Sequence, residues 1–159
     1  MAGAEMIVIC TNTMHKVVPK VTSMINIPLV HIADATADAL EEDNIGTVAL
    51  LGTRYTMKQN LYKQKLFDRG LTVLIPEDEQ VEEVNRIIFE ELCLGAIKDD
   101  SRQYFAKVIN QLKAKGAQAV ILGCTEIGLL ISQEDSSLPV FDTTVSHAKR
   151  AAQLALSPD

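Results

Sequence analysis

Short, unbroken apolar runs alternate along this chain with longer stretches whose apolar residues recur at helical spacing. That alternation marks strands and helices following one another in an α/β fold with parallel sheets. The apolar runs predict strands over 5–10, 28–32, 46–51, 71–75, 118–123 and 139–141. The amphipathic stretches predict helices over 14–25, 34–42, 56–68, 79–95, 100–115, 126–131 and 143–156. Val48-Ala49-Leu50-Leu51 lacks polar alternation, so its strand needs cover on both faces. Gly70 and Gly116 stand where helices should close on a left-handed residue. Asp100 or Ser101, and further on Asp142, are suited to cap the helices that follow them. Pro19 predicts a kink or a late start in the first helical stretch.

The chain also repeats itself. Gly3-Ala4-Glu5-Met6-Ile7-Val8-Ile9-Cys10-Thr11-Asn12-Thr13 aligns with Gly116-Ala117-Gln118-Ala119-Val120-Ile121-Leu122-Gly123-Cys124-Thr125-Glu126. Ile27-Pro28-Leu29-Val30-His31 aligns with Leu138-Pro139-Val140-Phe141-Asp142. Each unit runs from a helix end through a strand into a polar turn, then through a second strand into a helix. The expectation is two pseudo-symmetric α/β domains with helices on both faces of their sheets. Residues 1–44 with 142–159 would form the first and 45–141 the second. The later unit has the whole stretch from Gly46 to Gly116 ahead of its repeat, whereas only two residues precede Gly3. The first domain is therefore expected to be incomplete. Exposed strand edges, poor solubility unless the chain oligomerises, and low activity would follow.

Composition narrows the partners. Hydrophobic residues make up 47% of the 159 residues, enough for a compact core. The formal net charge is −6, which disfavours nucleic acid and anionic membranes as partners. No apolar run reaches the length of about 20 residues that spans a membrane. The first residues carry no basic segment or cleavage pattern of a signal peptide. Three cysteines, Cys10, Cys93 and Cys124, suit reduced thiols in a cytoplasm better than a disulfide framework. Their spacing gives no zinc motif, so no metal is expected.

Open parallel sheets place ligands at the C-terminal ends of their strands. Thr11-Asn12-Thr13 and Cys124-Thr125-Glu126 both fall there, each ahead of a predicted helix. A helix N-terminus can hold a carboxylate and can lower a thiol's pKa. Alone, either turn reads as a cap beside a small buried thiol. Two such turns in repeat register point instead to a thiol base, Cys124, beside a carboxylate cradle. The register sets Thr11 opposite Cys124. Because neighbouring strand residues face opposite ways, Cys10 and Thr11 should not both enter the site. Cys10 is the alternative if the strand is shifted by one residue.

Val120-Ile121-Leu122-Gly123-Cys124-Thr125-Glu126 resembles the second signature of the aspartate/glutamate racemase family. Thr11-Asn12-Thr13-Met14-His15 resembles its first, usually Cys-Asn-Thr-x-His. Leu50-Leu51-Gly52-Thr53-Arg54-Tyr55-Thr56 resembles its middle strand. The resemblance spans nearly the whole chain. It implies a homodimer of two-domain subunits that racemise a small-molecule amino acid with two thiols, without cofactor or metal. One thiol takes the α-proton and the other returns a proton to the opposite face. It carries catalysis onto Cys124 and Thr11. It carries carboxylate binding onto Asn12, Thr13 and Thr125, and sets Glu126 beside the substrate ammonium or in a role that orients the site. Glu126, where glutamate-specific relatives tend to have His, points to aspartate or a broader acidic substrate.

Thr11 departs from the family's cysteine, and a hydroxyl is a far weaker acid that needs a partner. The expectation is an asymmetric site with one slow direction. The rival readings are a one-thiol decarboxylase, a cis-trans isomerase of dicarboxylic acids, or an inactive remnant with a binding role. Arg54 and Thr56 are candidates to reach the cleft, where an Arg would suit a side-chain carboxylate, but Arg54 reads more readily as a solvated side chain. His15 is a candidate to orient the site or to pack; His31 reads as structural and His147 has no assigned role. Cys93 should be packed on its helix. Relatives often carry Lys nearby, so the side-chain anchor is open.

Overall fold

The computed structural model of the chain describes residues 3–157. Met1, Ala2, Pro158 and Asp159, which the expected domain limits include, lie outside the described residues. Four parallel strands form the main sheet: β3 (Thr47–Leu51), β4 (Thr72–Leu74), β5 (Ala119–Leu122) and β6 (Val140–Asp142), in spatial order β4-β3-β5-β6. A second, two-stranded parallel sheet joins β1 (Ile7–Val8) to β2 (Leu29–Val30). The register sets Leu51 beside Leu122 and Leu122 beside Asp142, so the strand ends that carry the polar turns are level.

The unbroken apolar strands are covered on both sides, as their composition requires. Val48, Leu50, Ala119 and Ile121 face helices α2 (Ile32–Glu42) and α4 (Asn60–Asp68) through Ile32, Leu40, Tyr62 and Leu66. Ala49, Leu51, Val120 and Leu122 face α5 (Asp78–Glu90) and α6 (Asp99–Ala114) through Val84, Ile88, Phe105 and Ile109. The two-residue period of the strands thus splits one run of apolar residues into two cores. Helix α7 (Thr143–Leu156) runs beside α2 and touches both β2 and β6.

Several helices are shorter than their amphipathic pattern. The first stretch is a 3-10 turn (Thr13–Val17) followed by α1 (Val18–Thr22), with Pro19 in its first turn. Proline has no N–H to lose there, so the late start is the compatible outcome. The 56–68 stretch divides into α3 (Arg54–Lys58) and α4, because Gln59 is extended with ψ 143°. The stretch 79–95 leaves the helix after Glu90 and ends in a 3-10 turn (Leu92–Leu94) closed by Gly95 at φ 76°. Only a 3-10 turn (Ile127–Leu129) forms over 126–131. Gly70 and Gly116 do close α4 and α6, with φ 79° and 104°. Asp142 caps α7, accepting from the N–H groups of Thr144 (2.7 Å) and Val145 (3.4 Å). Neither Asp100 nor Ser101 caps α6: the N-cap is Lys98, and Ser101 donates to the buried Glu91 carboxylate at 2.5 Å.

Candidate functional site

At the ends of β1, β3 and β5 lies a cavity of about 300 Å³. Cys10, Thr11, Asn12 and Thr13 line one side. Cys124, Thr125 and Glu126 line the side below β5. Thr53, from the turn after β3, and Ile88, Phe89 and Cys93, from the end of α5 onward, complete the wall. All six residues singled out in the two signature turns therefore meet at one space. The structure departs from the expected strand alternation, since Cys10 and Thr11 both reach it. Beyond Val8 the chain has left the sheet, and the Thr11 N–H donates to Ile9 C=O at 2.9 Å. That three-residue turn removes the pleat on which alternation depends.

Two close approaches hold Cys124 in place. The Gly123 N–H donates to Leu51 C=O at 2.6 Å, joining the ends of β3 and β5. A β-carbon on Gly123 would stand 3.0 Å from that same oxygen and from Leu50 Cδ1. Only glycine lets the two strand ends come this close.

The Cys124 thiol donates to a Glu126 carboxylate oxygen at 2.9 Å. Burial and the bond to Glu126 push the thiol up to about 12. Burial works to raise the Glu126 carboxyl too, but hydrogen bonds from Cys124 and Thr125 outweigh it and leave it below its ordinary value. The expectation of a thiol made acidic by a helix N-terminus is thereby overturned. The turn after Glu126 spans three residues and aligns too few peptide dipoles for a useful field, while a carboxylate stands against the sulfur.

Asn12 is buried, 8% exposed. Its Nδ2 donates to Thr143 Oγ1 at 3.0 Å, and the Thr143 hydroxyl donates onward to Leu122 C=O at 2.9 Å. The other end of the amide, Oδ1, is buried without a donor among the described residues. Asn12 was expected to bind a carboxylate, yet its unspent group is an acceptor.

Behind this turn sit three histidines. Buried His15 bridges Thr11 C=O (2.8 Å, from Nδ1) and the Ile32 N–H (3.1 Å, to Nε2). Those partners require the neutral ring with its proton on Nδ1. Burial, ahead of its backbone bond to Thr11, keeps its pKa below the usual value. His31 caps α2, accepting from the Ala33 N–H at 3.1 Å, and its ring centroid lies 4.4 Å from that of His15. His147 donates to Val30 C=O at 2.7 Å, tying α7 to β2.

The remaining candidates divide. Arg54 does not line the cavity; it pairs with Glu82 at 2.9 Å with both side chains more than half exposed. Thr56 is buried beside it in a narrow neighbouring pocket with Asn12, His15 and Tyr62. Cys93 is not packed: it is exposed and lines the cavity, because α5 stops at Glu90 and the chain turns before reaching it. Sequence reasoning missed Thr53, Phe89 and Thr143. The four-residue spacing of Phe89 and Cys93 was the only available signal for that wall.

The sequence matches the family model described as Asp/Glu/hydantoin racemase over residues 1–151. The chain belongs to that family. It is 52% identical to a candidate Asp/Glu racemase from Yersinia pestis of known crystal structure, with TM-score 0.94, covering 98% of this chain and 68% of that one. An aspartate racemase homologue from Pyrococcus horikoshii superposes with TM-score 0.90 at 40% identity, over 98% of this chain and 69% of that one. The broad-specificity amino-acid racemase RacX of Bacillus subtilis is 23% identical over 159 residues, covering 98% of this chain and 66% of RacX.

Proposed function

We propose that the chain racemises an α-amino acid by proton exchange at its α-carbon, with Cys124 and Thr11 on opposite faces of the substrate. The observation that carries this reading is the shared cavity, where the Cys124–Glu126 pair and the Thr11 turn face one space. Glu126 takes the proton that Cys124 already offers it, and the resulting thiolate removes the α-proton. The Thr11 hydroxyl then delivers a proton to the other face and recovers one from water. Asn12 Oδ1 and the Glu126 side supply acceptors for the substrate ammonium, while Thr13 and Thr125 hold its carboxylate.

An ammonium in the site also favours reaction. It brings positive charge toward a sulfur whose ionisation is otherwise opposed by burial and by Glu126. The acceptor on Asn12 favours an amino acid over the dicarboxylic acids that a one-thiol decarboxylase or isomerase would take. Racemase activity on aspartate or glutamate remains the first substrate choice from the family. A thiol mechanism without cofactor, a homodimer and a cytoplasmic setting complete this reading. No helix among the described residues is long and apolar enough to cross a membrane.

Deuterium incorporation at the α-carbon, measured together with inversion, tests the proposal. Exchange with inversion is expected for aspartate or glutamate. Exchange without inversion would leave one working base, and no exchange on any amino acid would sink the reading.

A further inference from the structure

Thr143 lies at the start of α7, far along the chain from both signature turns, and is completely buried. Its hydroxyl has one hydrogen, and Leu122 C=O receives it at 2.9 Å. Toward Asn12 at 3.0 Å it can therefore only accept. An amide whose oxygen faced Thr143 would set two acceptors against each other in a buried place. The amide of Asn12 is thus held with its NH2 on Thr143 and its Oδ1 turned away, and Oδ1 is the acceptor left without a donor.

We propose that Thr143 is a positioning residue that sets the polarity of the Asn12 amide and thereby makes the cavity select an amino group on the substrate's α-carbon. This rests on the amino-acid reading above. A buried acceptor takes an ammonium N–H well and gains nothing from a carboxylate. A hydroxyl in the same place can donate one neutral bond, without the charge. Leu122 is the last residue of β5, and Gly123 and Cys124 follow it directly. The same hydroxyl therefore ties the orientation of the amide to the strand end that presents the thiol.

The test compares amino acids with their 2-hydroxy analogues in the wild-type chain, Thr143→Val and Thr143→Ser. Binding of aspartate against malate, and of alanine against lactate, is read by calorimetry. Valine keeps the shape of threonine but accepts no hydrogen bond, so the amide is free to turn over. The wild type should prefer the amino member of each pair. Thr143→Val should lose about tenfold or more of that preference, and Thr143→Ser should keep it. A wild type that binds neither member, or both alike, overturns the inference, as does a folded Thr143→Val with the wild-type preference. Equal loss in Thr143→Ser also overturns it, because the hydroxyl would then be irrelevant. Should the valine variant not fold, nuclear Overhauser contacts in the wild type decide the matter. Asn12 NH2 protons beside Thr143 support the polarity, and NH2 protons on the far side overturn it. Amino-group preference without α-proton exchange would sink the racemase reading and leave this inference standing.

Discussion

The Cys124 sulfur stands 2.9 Å from a Glu126 carboxylate oxygen, so the group expected to remove a proton is itself held as a donor. Two opposed results follow for Glu126→Gln. Burial remains, but the charge is gone and a neutral amide oxygen replaces the carboxylate as acceptor, so the Cys124 thiol should titrate lower than in the wild type, where it is pushed up to about 12. Proton exchange should nevertheless slow, by about 100-fold, because the receiver of the thiol proton is lost. Alkylation of Cys124 against pH, in a background carrying Cys10→Ser and Cys93→Ser, reads the first effect. An unchanged titration midpoint would refute the coupling.

The pair also fixes the shape of the wild-type pH profile. Glu126, held below its ordinary value, receives the thiol proton inside the pair, so the pair keeps one proton from above the carboxyl's titration up to the thiol's at about 12. The exchange rate should therefore stay level between pH 7 and 9. A rate that rises about tenfold per pH unit over that range would mean that the thiol proton leaves to solvent and not to Glu126.

Thr11 opposite Cys124 predicts an asymmetry of a particular kind. Two enantiomers have equal energy, so kcat/KM must be the same in both directions. The difference has to appear in kcat and in washout of the α-proton without inversion. The enantiomer whose α-hydrogen faces Cys124 should exchange in heavy water at least about tenfold faster than it inverts. Thr11→Cys should close that gap by supplying a second thiol. Equal exchange and inversion in the wild type, from both enantiomers, would count against Thr11 as the weak partner.

His31 offers a test of stability. Burial, then coupling to the neighbouring His15 ring and the Lys65 ammonium, lowers its pKa to about 4, against the opposing pull of Asp34. A folded-state pKa below the unfolded value of 6.5 contributes stability above pH 6.5 that is lost as pH falls toward about 4. Over that window the unfolded chain takes up a proton that the folded chain refuses. His31→Asn keeps an acceptor to cap α2 and removes the titration. Urea unfolding should find the variant within about 1 kcal/mol of wild type at pH 8 and less sensitive to acid between pH 6.5 and 4.5. An identical acid response would show that His31 does not titrate in that range.

Gly123→Ala should harm the fold and the site together. The added methyl meets Leu51 C=O and Leu50 Cδ1 at 3.0 Å, and backbone cannot yield as a flexible side chain does. A loss of about 1–3 kcal/mol in chemical denaturation is expected. Displacement of Cys124 should slow exchange further. A variant as stable and as active as wild type would show that β3 and β5 have slack at this point.

The strands and the broad order of the helices were readable because both rest on local periodicity. Each predicted strand has a counterpart, and Gly70, Gly116 and Asp142 end or begin helices where expected. The six residues of the two signature turns were readable because strand ends in parallel sheets collect ligand-binding groups, and the repeat set one turn against the other. Helix lengths were not. The break at Gln59 and the 3-10 turn at Ile127–Leu129 break the helical pattern that their side chains spell out. Gly128 lies so close to the Asp142 carboxylate that a β-carbon there would clash with it, a contact made across the fold.

Sequence by itself determined the alternation of strands and helices, the family, and the two turns in which chemistry is sought. Those properties depend on residue type and spacing along the chain. Tertiary structure alone decided that burial and Glu126 push the Cys124 thiol up, that Cys93 and Phe89 form a wall, and that the Asn12 amide meets Thr143. Each of these depends on burial or on which hydrogen-bond partner is already spent. Such quantities exist only once distant segments have been packed together.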